Sequence, residues 1–222
     1  MVMLNELLVV LLLLINVAIT FWALKIGFEA SCVVAAIQAI CANLFVCKQI
    51  CLCGLTLTGT DAYVLAAMLG FVLIREKFGV DHAKKCIWFS LGSMIFFTVV
   101  SSLHCAFIPA CVDCTHAAWT VVLAPLPRLM FASIGAFAIS SFIDIWLYGL
   151  LRIKWPTAPV WIRVTGTAVC VHTIDTLIFG FVGLYGLVAS LSAIMAVSLV
   201  LKYVLIFVQA PLVAFGWKVF GK

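Results

Sequence analysis

The sequence predicts an all-α membrane protein, a polytopic bundle of about seven transmembrane helices, and three observations lead there. Hydrophobic residues make up 67% of the 222 residues and charged ones only 9%. A soluble domain runs nearer half apolar and a quarter charged, so this chain cannot cover a water-facing surface. The apolar residues also fall in runs of about 20, the length that crosses roughly 30 Å of hydrocarbon at 1.5 Å per residue. Finally, segments such as Leu7–Ile15 are apolar all round, without the period-two alternation of a membrane strand.

Read in order, the spans fall at Met3–Leu24, Ala30–Val46, Leu55–Ile74, Cys86–Phe107, Pro127–Leu151, Val164–Leu184 and Val188–Val208. They form one domain over residues 1–222, a six-span core behind an extra N-terminal span. The first segment does not read as a cleavable signal. Met1–Glu6 carries an acid and no base, and the apolar run is too long for a signal h-region. The stretch Cys47–Gly54 reads as either a short outer loop or a broken helix.

Two basic loops set the orientation. Arg75, Lys77, Lys84 and Lys85 form one; Arg152, Lys154 and Arg163 form the other. Two spans separate them, so they share a face, expected to be cytoplasmic. Pro109–Ala124 has no Lys or Arg, as suits an outer loop, and Gly183–Gly186 makes the other tight outer turn. Lys25, Lys218 and Lys222 then lie inside, with a cytoplasmic C-terminus and an outer N-terminus. The formal charge of +5 is small and dispersed, which argues against nucleic acid as a partner. No GxxxxGK[ST] loop is present, so energy for any transport would come from a gradient or a separate ATPase module. No cofactor or metal is expected, a homodimer stays open, and the surrounding partner is the lipid bilayer.

Residues 139–149 (Ile-Ser-Ser-Phe-Ile-Asp-Ile-Trp-Leu-Tyr-Gly) echo residues 170–180 (Cys-Val-His-Thr-Ile-Asp-Thr-Leu-Ile-Phe-Gly). Asp144 lies eight residues before one end of the second basic loop and Asp175 twelve after the other. At 1.5 Å per residue these are about 12 and 18 Å from the same face, a similar depth.

A mid-span charge costs about 2.5–3.5 kcal/mol on insertion scales, so it faces the bundle interior and marks function or a structural ion pair. Asp144, Asp175 and Lys202 qualify, and a polar site near the midplane is where transporters hold substrate. His172, three residues before Asp175, shares its helix face and either donates to that carboxylate or meets a ligand. Gln38 and Asn43, with Lys48 and Gln49 beyond them, form a second polar group, although Lys48 and Gln49 also read as a helix cap. Trp146 is expected on a lipid or packing face.

Several ordered blocks resemble the queuosine-precursor transporter family of small bacterial inner-membrane proteins. They are Ala42-Asn43, Cys47-Lys48-Gln49 and Gly54-Leu55-Thr56, then Arg75-Glu76-Lys77-Phe78-Gly79, Ala83-Lys84-Lys85 and Trp88. Pro127-Arg128, Ala132-Ser133, Asp144, Tyr148, Leu151-Arg152 and Trp161-Ile162-Arg163 follow, then Ile174-Asp175-Thr176, Phe179, Leu201-Lys202 and Pro211. The resemblance implies a transporter rather than an enzyme, one that imports a purine-like 7-deazaguanine base for tRNA modification. That base is the cyano or aminomethyl precursor, or queuine. The residues suit such a ligand: a guanine-type edge offers a ring N–H beside an exocyclic amine, which a carboxylate accepts bidentately. Asp144 and Asp175 are the candidate acceptors, with Lys202, Asn43, His172, Ser141, Thr176, Lys48 and Gln49 as further substrate-binding candidates. Two acids facing one lysine predict a preference for a base with a protonated amine. The chain also departs from the family pattern. Ser141 and His172 stand where members carry an amide, Val72 stands for an Asp, and Asp61 takes a small polar residue's place. These changes imply altered selectivity, towards the larger queuine.

Ten cysteines leave rival readings. Cys32, Cys41, Cys86, Cys105 and Cys170 read as packing residues within spans. Cys47, Cys51 and Cys53 cluster near an outer end, and Cys111-Val-Asp-Cys114 lies in the outer loop as free thiols or a disulfide. A thiol oxidoreductase, or a metal site from Cys111, Cys114, His104 and His116, is one rival. The membrane subunit of an ATP-driven vitamin importer is the other.

Overall fold

The computed structural model describes residues 2–46, 48–52, 55–123, 126–185 and 191–220. Its helices are α1 (Val2–Ile26), α2 (Phe28–Leu44), α3 (Asp61–Phe78), α4 (Val80–Cys105), α5 (His116–Leu123), α6 (Leu126–Lys154), α7 (Val160–Phe179) and α8 (Leu191–Phe220). Among the described residues five are long and apolar enough to cross a membrane: α1, α4, α6, α7 and α8. The remaining two expected spans are α2, with 17 residues, and α3, which carries charges at both ends. The helical bundle is as the sequence predicts.

α3 is the central element. It packs on α1, α2, α4, α6, α7 and α8, and Leu65 to Ile74 are buried without a break. A helix that is apolar all round has no water-facing side, so it takes the middle of the bundle. The outer surface is apolar as well. Leu7, Leu11 and Ile15 of α1, Trp88 and Phe96 of α4, Phe131 and Trp146 of α6, and Phe207 and Phe215 of α8 are all exposed. Such a girdle suits lipid, which solvates those side chains as a core would.

The end of the bundle that carries the basic loops is tied by tight turns and by charge. Gly27 joins α1 to α2 and Gly79 joins α3 to α4 as single residues, with φ of 155° and 97°. A side chain at either position would strain the backbone. The two basic loops meet there, as one face requires: Glu76 pairs with Arg163 at 2.7 Å and Arg152 at 3.3 Å. Tyr148 lies between two guanidinium groups, with Arg75 5.6 Å and Arg163 5.7 Å from its ring centroid.

The opposite end departs from the expected helix plan. The third span was expected from Leu55, but Leu55–Thr58 forms β2, paired antiparallel with β1 (Gln49–Leu52) in the register Gln49 to Thr58 and Leu52 to Leu55. The stretch Cys47–Gly54 is therefore neither a plain loop nor a broken helix where described; Cys47, Cys53 and Gly54 lie outside the described residues. The alternation Leu-Thr-Leu-Thr has period two and β-branched threonines, which the apolar run concealed. The Asn5 side-chain amide donates to the Cys51 carbonyl at 2.7 Å and anchors the hairpin to α1. The connection between α4 and α6 holds α5, also unforeseen. Asp113 starts it by accepting from the Thr115 backbone N–H and hydroxyl, each at 2.7 Å, and those bonds hold its carboxyl below the usual range. Gly186 and Lys222 lie outside the described residues.

Candidate functional site

The mid-span charges do not form one set. Lys202 of α8 reaches Asp175 of α7 at 3.0 Å, the Thr176 hydroxyl at 2.8 Å and Asp61 of α3 at 3.7 Å. Ser140 of α6 donates to Asp175 at 3.2 Å and Ser198 of α8 to Asp61 at 3.5 Å. All of these except Ser198 are buried. Four helices thus contribute to one cluster around a lysine, with two carboxylates and three hydroxyls completing its surroundings. Asp61 starts α3 only because the hairpin delays that helix, which brings its first turn to the level of Lys202. The positive end of the helix dipole favours an acid there.

Asp144 stands apart from this cluster. Ser140, one turn before it on α6, is what meets Asp175, so the two acids are offset by about one helical turn of 5.4 Å. Asp144 instead borders an internal cavity between α3, α6, α7 and α8. Leu65, Met68, Leu69 and Val72 of α3 form an apolar wall, and Val164, Thr167, Ala168 and Val171 of α7 another. Asp144, His172 and Gln209 complete the lining from α6, α7 and α8.

These three are only 2%, 1% and 3% exposed, yet Asp144 Oδ1, His172 Nδ1 and Gln209 Oε1 have no hydrogen-bond partner among the described residues. A buried polar atom left unpaired costs about 1–3 kcal/mol, more when charged, and three such atoms around one space are exceptional. Thr167 spends its hydroxyl on the Val164 carbonyl at 3.0 Å. The cavity admits the centre of a water-sized sphere over only about 10 Å³, room for roughly one water. A bicyclic base needs the helices to separate.

The other sequence candidates lie elsewhere. Asn43 is buried but donates to the Ala39 carbonyl of its own helix at 2.8 Å. Gln38 donates to the Asn16 carbonyl and the Thr20 hydroxyl, each at 3.1 Å, and so joins α1 to α2. Ser141 lies against the Met68 sulfur at 3.7 Å, on the seam between α6 and α3. Lys48 is exposed, and Gln49 lies in β1 with its side chain outside the described residues. Trp146 is 64% exposed, on the lipid face as expected. Two departures from the family pattern, Val72 and His172, line the cavity.

Sequence reasoning missed Gln209 and the pairing of Asp61. Gln209 had a signal: it lies seven residues after Lys202, on the same face of an otherwise apolar helix. Asp61 needed the hairpin. Cys111 and Cys114 are free and exposed, while Cys32 and Cys86 are buried against one another. Among the described residues no three His, Cys, Asp or Glu side chains gather as metal ligands would.

A family model described as "Putative vitamin uptake transporter" matches residues 58–216. The chain is also similar to the "Probable queuosine precursor transporter" of Bacillus subtilis (strain 168), at 30% identity over 150 residues. That match covers 66% of this chain and 66% of the relative, a little under two thirds of its length. No solved structure matches.

Proposed function

The chain belongs to the vitamin uptake transporter family, and from that membership we propose that it imports a 7-deazaguanine base, a queuosine precursor or queuine, across the cell membrane. The observation that carries this reading is the cavity at which α3, α6, α7 and α8 meet, with Asp144 Oδ1, His172 Nδ1 and Gln209 Oε1 buried and unpaired. A flat heterocycle suits apolar walls with acceptors at the rim. Asp144 takes the ring N–H and exocyclic amine of the guanine-type edge bidentately, and His172 accepts or donates at the ring according to its tautomer. Asp175, Thr176 and Lys202 bind no ligand directly in this scheme. They hold α7 and α8 in register beside the cavity, and substrate entry separates helices that this ion cluster reunites. Pro211 of α8, two residues beyond Gln209, lacks the N–H that would bond the Phe207 carbonyl, so α8 bends most easily next to the site. In this scheme the basic residues around Glu76 face the cytoplasm, which the positive-inside rule supports.

The test is uptake in a bacterium that can neither make queuosine precursors nor import them. Expression of this chain with each base supplied in turn restores queuosine in tRNA if the reading is right. No restoration with any of the three bases, from protein that reaches the membrane, rules it out.

A further inference from the structure

We propose that Gln209 is a specificity-determining residue, which reads the end of the ligand remote from Asp144 by accepting an N–H there. The proposal rests on the cavity being the substrate site, and it adds which chemistry the far side selects.

Asp144 comes from α6 and Gln209 from α8, and each of those helices packs on both α3 and α7. The two side chains therefore face the cavity from opposite flanks, with the apolar walls of α3 and α7 between them. Gln209 is 3% exposed and its Oε1 has no partner among the described residues. A carboxylate oxygen at one flank and an amide oxygen at the other both accept, so the lining favours a ligand with donors at both ends. Among the described residues, Asp144 is the single formally charged side chain in the lining, and the lining holds no lysine or arginine. A flat nitrogen heterocycle with an amino-edge at one end and an amine at the other meets both demands. A substituent that only accepts, such as a nitrile, sets acceptor against acceptor unless the amide turns round. A site built around a ligand's donor rejects the analogue that lacks it, because its own buried acceptor is left unpaired.

Binding to the purified protein separates this from the import reading. The probes are the 7-aminomethyl and 7-cyano forms of 7-deazaguanine, compared on wild type, Gln209→Leu and Gln209→Glu by competition with a labelled base. Leu removes the acceptor; Glu keeps it and cannot turn to donate. Gln209→Leu is expected to weaken the aminomethyl base about tenfold, the loss of roughly one hydrogen bond to a charged group. The same change shifts the cyano base less than about twofold. Gln209→Glu widens the preference for the aminomethyl base. Equal losses for both bases, or none for either, overturn the proposal. If the Leu variant does not fold, a Glu variant whose preference stays the same or moves towards the cyano base overturns it equally. Wild type that binds these bases but never transports them sinks the import reading and leaves Gln209 judged by the ratios. Wild type that binds neither sinks both.

Discussion

The bundle holds two buried polar regions barely a helical turn apart, and they are built on opposite principles. Around Lys202 every charge meets a partner: Asp175 at 3.0 Å, Asp61 at 3.7 Å, with Thr176, Ser140 and Ser198 filling the remaining positions. In the cavity, Asp144, His172 and Gln209 each keep an unpaired atom. Ionisable residues inside a membrane are costly in either place, but the first region offsets the cost internally and the second does not. The difference assigns separate tasks. In the proposed scheme, paired charges hold helices together and unpaired groups receive the ligand.

The contrast breaks most sharply on Asp144. Asp144→Asn loses half of the proposed bidentate acceptor and puts a donor in its place, so uptake falls by about a hundredfold or more, the effect of one charge-assisted bond lost and the other stripped of its charge. Protein level in the membrane stays near wild type, because Asn keeps the size of the side chain and breaks no pair of the Lys202 cluster. Uptake within a few-fold of wild type would erase the distinction between the regions.

Lys202→Met has the reverse signature. It strands Asp61 and Asp175 without their cation, a loss of about 3–5 kcal/mol of stability for a broken buried pair. Thermal unfolding in detergent is expected to drop for this variant and to hold steady for Asp144→Asn. Equal stability of the two variants would show that the Lys202 cluster holds nothing together.

Ligand charge sharpens the comparison further. With Lys202 engaged elsewhere, the described residues of the cavity lining include one carboxylate and no lysine or arginine, so a base with a protonated amine is expected to outcompete its neutral cyano counterpart about tenfold. Desolvation of both ions limits the gain. Competition against labelled queuine uptake measures it, and equal inhibition by the two compounds would refute the charge argument.

The smallest effect belongs to the connection between α4 and α5. Cys111→Ser with Cys114→Ser should leave uptake within about twofold, since both are exposed and lie in a different part of the chain from either polar region. Complete loss with normal expression would return attention to thiol or metal chemistry.

What composition and order alone could establish was the helical membrane bundle, because a chain with 67% hydrophobic residues in runs of membrane length has no other stable arrangement. They also marked Asp144, Asp175, His172 and Lys202, since a buried charge stands out on an apolar helix whatever surrounds it. The meeting of the two basic loops followed as well, through the parity of the spans. Tertiary structure alone decided the partners. A hydrophobic run does not record whether Leu55–Thr58 winds into helix or pairs with Gln49–Leu52, and that choice sets the depth of Asp61 and so its reach to Lys202. Nor does spacing along α6, α7 and α8 state which helices are neighbours across α3. Gln209 joins Asp144 and His172 only because those helices close on one cavity, and side-chain pairing between distant segments is a property of packing that no single span contains.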